Sequence, residues 1–208
     1  FRDNQKIIIL LQEDKEMSKR ILVVGFDSID SDKFNRVANM SSGLFDDSLN
    51  KPSGGLWGST YTPDEKYPSQ WVDWCVGDRY RVSECYHGIS FELKPDTRIR
   101  EIRNGLEYKK MMETYGKARF SESDNAPKWG NVISIDWVKL SKDYDAFHLT
   151  KEAFYELRLP MSDILETSTG VLANFYSYDC ESWILFNLDC INQESVETHE
   201  FSFDDEYW

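Results

Sequence analysis

The segment KPSGGLWGSTYTPDEKYPSQWVDWC, residues 51–75, compresses a turn, a short strand, a loop and a helix start into one run. Gly54 and Gly55 lack a Cβ, so the backbone there is free to take a positive φ or to lie directly against a ligand. In the Leu-Trp-Gly-Ser-Thr-Tyr run that follows, Trp57 supplies a broad apolar face beside the hydrogen-bonding pair Ser59 and Thr60. Pro68 and Ser69 open a helix on which Trp71, Trp74 and Cys75 fall on one face. The segment has two readings: a turn followed by an aromatic core helix, or a ligand-facing strand of glycine, aromatic and hydroxyl residues.

Upstream, residues 20–26 form a β-branched apolar run that predicts a buried strand. Downstream, Val82 and then Ile89, Phe91 and Leu93 alternate with polar residues over 81–93, a half-buried strand in which Gly88 marks a bulge. Residues 97–102 predict another strand. Asn104 caps a helix carrying Tyr108, Met111, Met112 and Tyr115 at i, i+3, i+4 and i+7, stopped by Gly116. A strand over 132–135, a helix through Trp137, Leu140 and Tyr144, a strand with His148 and a helix capped by Thr150 follow. Residues 171–178 lead into YDCESW and an apolar strand at 184–187, and Phe201 and Phe203 alternate in the acidic tail 199–208, which suits an edge strand or a mobile end. Strands and helices mix without a regular βαβ repeat, which predicts one α+β domain over residues 17–208, with a mixed, mainly antiparallel sheet and flanking helices. Residues 1–16 read as an extension outside it.

At 208 residues the chain supports one sizeable core, and 40% hydrophobic with 14% aromatic residues argues against global disorder. A formal net charge of −13 opposes broad electrostatic binding to nucleic acid. Arg98, Arg100 and Arg103 form a local cationic cluster that reads as a solvated face. Cys75, Cys85, Cys180 and Cys190 show neither a CxxC pair nor metal-like spacing with the histidines, and read as reduced core thiols of a cytoplasmic protein with no metal. No stretch is long and apolar enough for a bilayer span, so no membrane partner is expected.

The sequence has no GxGxxG, P-loop, GxSxG or HExxH. Three places keep chemical interest: residues 54–61, the pair Asp136-Trp137 with Tyr144-Asp145, and residues 178–182. In the last, Asp179 and Glu181 lie two apart and would share one strand face, where paired carboxylates stabilise developing positive charge or hold sugar hydroxyls. His87 and His148 read as structural histidines.

The set KPSGGLWGS, WVDWC, IDWVKLSKDYD and YDCESWILFNLDCI resembles an uncharacterised group of bacterial and phage proteins with KP-x-GLW-x-S and IDW…YD motifs, over roughly residues 21–191. The chain also resembles the ADP-ribosyltransferase superfamily in the order of three elements: a first strand at 21–26, the aromatic–hydroxyl motif Trp57-Gly58-Ser59-Thr60-Tyr61, and a glutamate, Glu181, before an apolar strand. It departs from that pattern at Gly25-Phe26-Asp27, which offers neither His nor Arg. The second resemblance implies an ADP-ribosyltransferase-like fold and NAD as substrate, consumed by a transferase or a glycohydrolase. Glu181 would be the catalytic carboxylate and Asp179 would orient the acceptor, a protein or nucleic acid. Gly54, Gly55, Trp57, Ser59 and Tyr61 would bind NAD. The alternative is a non-enzymatic acidic protein that binds a host or phage protein, its exposed aromatics occupying a basic partner's groove.

Overall fold

The run Arg-Ile-Leu-Val-Val becomes a strand, β1 (Arg20–Val24), because its β-branched residues fill both faces of a covered sheet, with Ile21, Leu22 and Val23 all buried. The computed structural model describes residues 19–39, 50–118, 132–158, 165–168 and 170–203. Residues 1–16, expected to stand apart, lie outside the described residues.

After β1 come β2 (Ala38–Asn39), β3 (Pro52–Ser53) and β4 (Leu56–Thr60), then helix α1 (Gln70–Gly77). Next are β5 (His87–Glu92), β6 (Ile99–Ile102), α2 (Gly105–Tyr115), β7 (Gly116–Ala118), β8 (Val132–Ile135) and α3 (Trp137–Asp143). The chain continues through β9 (Ala146–Leu149), α4 (Lys151–Leu157), β10 (Glu166–Thr167), β11 (Gly170–Leu172), β12 (Ser182–Leu185) and β13 (Glu197–Glu200). The class is α+β. Seven strands form one sheet in the order β13-β5-β1-β4-β12-β9-β6, antiparallel except where β6 meets β9, and four more form a second sheet, β10-β11-β8-β7.

The caps fall where the polar residues are. Ser69 accepts from Val72 N, Asn104 from Glu107 N and Thr150 from Ala153 N, each satisfying an amide that the first helical turn leaves free. The buried stripe of α2 is Tyr108, Met111, Met112 and Tyr115, which pack with α3, α4 and the Phe147, Leu149 and Ile184 face of the large sheet. The opposite face holds Ile21, Val23, Ile89, Phe91, Trp183 and Leu185. Each such fully buried side chain contributes about 1.5–3 kcal/mol through its area alone.

Two local expectations are corrected. Gly88 is no bulge: it pairs in register with Val24 on one side and His199 on the other. A Cβ there would lie 2.6 Å from Val23 O, so glycine admits the neighbouring strand. The edge strand near the tail is β13, before the phenylalanines, while Phe201 and Phe203 pack against the Leu22, Val72, Cys75 and Cys85 cluster. All four cysteines are free and buried.

One seam in the sheet is short. β1 and β4 pair only at Ile21–Thr60 and Leu22–Ser59, although β1 stays paired to β5 as far as Val24 and β4 to β12 as far as Leu56. Beyond that seam Leu22, Val23, Val24, Trp57 and Gly58 line a cavity. Among the described residues no helix is long and apolar enough to cross a membrane.

Candidate functional site

The β4–β12 ladder ends at Gly58–Trp183, and two residues before Trp183 the side chain of Glu181 takes over, bonding Ser59 and Thr60. Its Oε2 accepts from the backbone N of Thr60 at 2.9 Å and from Ser59 Oγ at 2.6 Å. Its Oε1 accepts from Thr60 Oγ1 at 2.7 Å and from His148 Nε2 at 2.7 Å. Gln70 of α1 fixes the backbone by accepting from Glu181 N at 3.2 Å. The residue is only 5% exposed. Burial alone would push the carboxyl up, but the hydrogen bonds from His148, Ser59 and Thr60 outweigh it, and the group lies below the usual carboxylate range.

Behind it stands a second carboxylate. His148 Nδ1 lies 2.8 Å from Glu101 Oε2, which also takes Lys19 Nζ at 3.0 Å, while Arg103 Nε donates to Glu101 Oε1 at 2.7 Å. The His148 hydrogen bond is the main reason Glu101 also lies far below the carboxylate range. Glu181, Thr60, Gln70, His148, Thr150 and Lys151 border a polar cleft of about 240 Å3.

The cavity at the β1–β4 seam has a different character and a volume of about 460 Å3. Trp57, Trp71, Tyr178, Lys51, Asp179 and Ser182 are among its walls. Lys51 Nζ sits 5.9 Å from the Trp57 ring and 5.7 Å from that of Tyr178, and 3.8 Å from Asp179 Oδ2. Burial raises Asp179 above its ordinary value despite Lys51. By the two-residue period of a strand Ser59 lies on Trp57's face, and its hydroxyl reaches the Glu181 carboxylate.

Ser59 and Glu181 meet through a hydrogen bond, while Trp57 lines the aromatic cavity and Glu181 the polar cleft. Asp179 and Glu181 do not share a strand face. β12 begins only at Ser182, so the segment before it is irregular, with Asp179 in the aromatic cavity and Glu181 on the polar cleft. Gly54 and Gly55 both take φ +76°, but their close approach is to the chain itself. A Cβ on Gly54 would collide with Arg36 O, and one on Gly55 would lie 2.9 Å from Ile184 Cγ2. Tyr61 lies apart from both spaces, its ring 4.8 Å from that of His199.

Two residues of the site were missed: Glu101 carried no signal, and His148 read only as a structural histidine. Their partners lie on distant strands, and only the sheet order assembles them. Among the described residues no group of three or more His, Cys, Asp or Glu is placed to hold a metal ion. No family model matches the chain, and neither a curated protein nor a solved structure matches it.

Proposed function

We propose that the chain acts on NAD, breaking the bond between nicotinamide and ribose and passing ADP-ribose to water or to a protein or nucleic-acid acceptor. One observation carries this reading: Glu181 is a buried carboxylate, drawn below its ordinary value, at the end of a strand ladder and next in sequence to Ser182, which lines the aromatic cavity. When the C1′–N bond breaks, its electron pair leaves on nicotinamide and the ribose becomes oxocarbenium-like. A fixed anion in a low-dielectric site stabilises that charge without reorganising. Water then adds its oxygen to C1′ and releases a proton.

The other parts suit the same ligand. A cavity of about 460 Å3 with Trp57, Trp71 and Tyr178 in its walls offers ring faces to a flat pyridine. The Ser59 hydroxyl is a rotor that can turn aside for a ribose hydroxyl. Asp179, beside Lys51 in the same cavity, is the group we assign to orienting the acceptor.

Calorimetric titration with NAD and a nicotinamide-release assay test this. The wild type should bind and cleave NAD, and Glu181→Gln should bind it but cleave about a hundredfold to a thousandfold more slowly, the usual loss for one such electrostatic contact. A folded wild type that neither binds nor cleaves NAD ends the enzymatic reading. The acidic interaction protein then takes its place, favoured by the exposed Phe26, Tyr80 and Tyr176 on a chain of net charge −13.

A further inference from the structure

His148 takes no part in bond cleavage as set out above, yet it is clamped on three sides. Its side chain is 3% exposed, its two ring nitrogens meet the carboxylates of Glu101 and Glu181 at 2.8 and 2.7 Å, and the Trp183 indole covers one face. When both carboxylates are ionised, both nitrogens donate. Of the two donors to Glu181 Oε1, the Thr60 hydroxyl can rotate away, whereas the imidazole cannot turn without leaving Glu101 and its seat on Trp183.

We propose that His148, braced by Glu101, is a positioning residue that holds the Glu181 carboxylate against Ser59 and keeps it from swinging into the polar cleft. The consequence for catalysis rests on the reading of Glu181 as the carboxylate that acts on NAD; the consequence for Glu181 itself does not. Glu101 is the far end of the brace, fixed in turn by Lys19 and Arg103. The charged groups around the ring are Glu101 from β6, Glu181 from the segment before β12, and, on the cleft, Lys19 before β1, Glu65 between β4 and α1, and Lys151 and Glu152 of α4. A merely architectural role, tying β6, β9 and β12 together, makes activity fall only as stability falls.

The experiment compares the full chain with His148→Leu, His148→Gln and Glu101→Gln. A misplacement of about 1 Å can cost about a hundredfold, so His148→Leu should lose about that much in kcat for NAD cleavage with KM little changed. His148→Gln, which keeps one amide donor facing Glu181, should recover part of the loss. Glu101→Gln should lose about tenfold although it touches neither NAD nor Glu181, a smaller slip on the same scale. Side-chain carboxyl 13C NMR gives a readout free of turnover: the Glu181 titration should move to higher pH in folded His148→Gln and Glu101→Gln. An unmoved titration overturns the proposal, as does a kcat loss that merely follows thermal stability with Gln no better than Leu at position 148. If the wild type does not cleave NAD, the NAD reading fails alone and the carboxyl titration still decides this one. If His148→Leu does not fold, the two Gln variants decide it.

Discussion

The Trp183 indole lies flat on the His148 imidazole, ring centroids 3.9 Å apart and planes within 9°, while its Nε1 donates to Thr60 Oγ1 at 3.0 Å. One side chain thus touches both groups that donate to Glu181 Oε1, stacking on the imidazole and donating to the Thr60 oxygen. Trp183→Phe keeps a ring over His148 and loses the hydrogen bond, a change of about 0.5–1.5 kcal/mol. Trp183→Ala empties a core position and costs about 3–5 kcal/mol. Urea unfolding separates the two, and a Phe variant as unstable as the Ala variant would show that the stack contributes nothing.

Gly54→Ala should destabilise the fold by about 1–3 kcal/mol, because it forces a left-handed backbone on alanine and drives a Cβ into Arg36 O. Gly55→Val should be worse, since two extra methyls add to the clash with Ile184. Gly77→Ala is the control. Nothing lies within 4 Å of a Cβ there, and it ends a helix, so it should stabilise by up to about 0.5–1 kcal/mol. Melting curves of the three variants in that order check the assignment; a neutral Gly54→Ala would return this turn to a ligand-binding role.

Acid should weaken the fold through a small set of carboxylates. Glu101 and Glu181 lie below their ordinary values when folded, and Asp145 is drawn down to about 2 by the Arg98 guanidinium. Each binds its proton more weakly folded than unfolded, so stability rises with pH across the window between the two values. The contribution is complete above the unfolded values, about 3.9 for Asp and 4.3 for Glu, and is lost as pH falls through the folded ones. The melting temperature should therefore drop steadily from about pH 5 towards pH 2. A flat profile over that range would contradict the hydrogen-bonded, ionised state of this set.

On the proposed NAD chemistry, Asp179→Asn should leave NAD cleavage nearly unchanged and lower transfer to an acceptor by about a hundredfold, the scale of a lost general base. Parallel assays of nicotinamide release and of acceptor modification check it. Equal loss in both would move Asp179 from the acceptor to the cleavage step.

Signals confined to a few neighbouring residues were legible in the sequence. Asn104, Ser69 and Thr150 announced their helices because a cap acts within one turn. The alternation of Ile89 and Phe91 announced β5 for the same reason. Gly54 and Gly55 could be read as permissive, but not as permissive towards what, since the Arg36 carbonyl that crowds Gly54 comes from a separate loop. The two-residue period misled at Asp179 and Glu181 because it holds only inside a strand, and β12 starts at Ser182. Nor does any local pattern say that Glu101 and Glu181 bracket His148, which stands 47 residues from one and 33 from the other. That information lives in strand order. Asn50 shows the same gap: it is wholly buried and donates to Tyr108 Oη and Ala173 O, ties invisible in a polar loop sequence.

The place of β12 between β4 and β9 also bears on how the chain is made. β4 and β9 both precede Ser182–Leu185 in the chain, so until β12 joins them each has an open strand edge on that side. The carboxylate of Glu181 arrives at the same late moment. A nascent chain stopped short of β12 therefore holds two unfinished half-sheets, the kind of exposed edge that chaperones shield and that otherwise aggregates. A chain cut before Glu181 therefore lacks at once the strand that joins β4 to β9 and the carboxylate that His148, Ser59 and Thr60 hold.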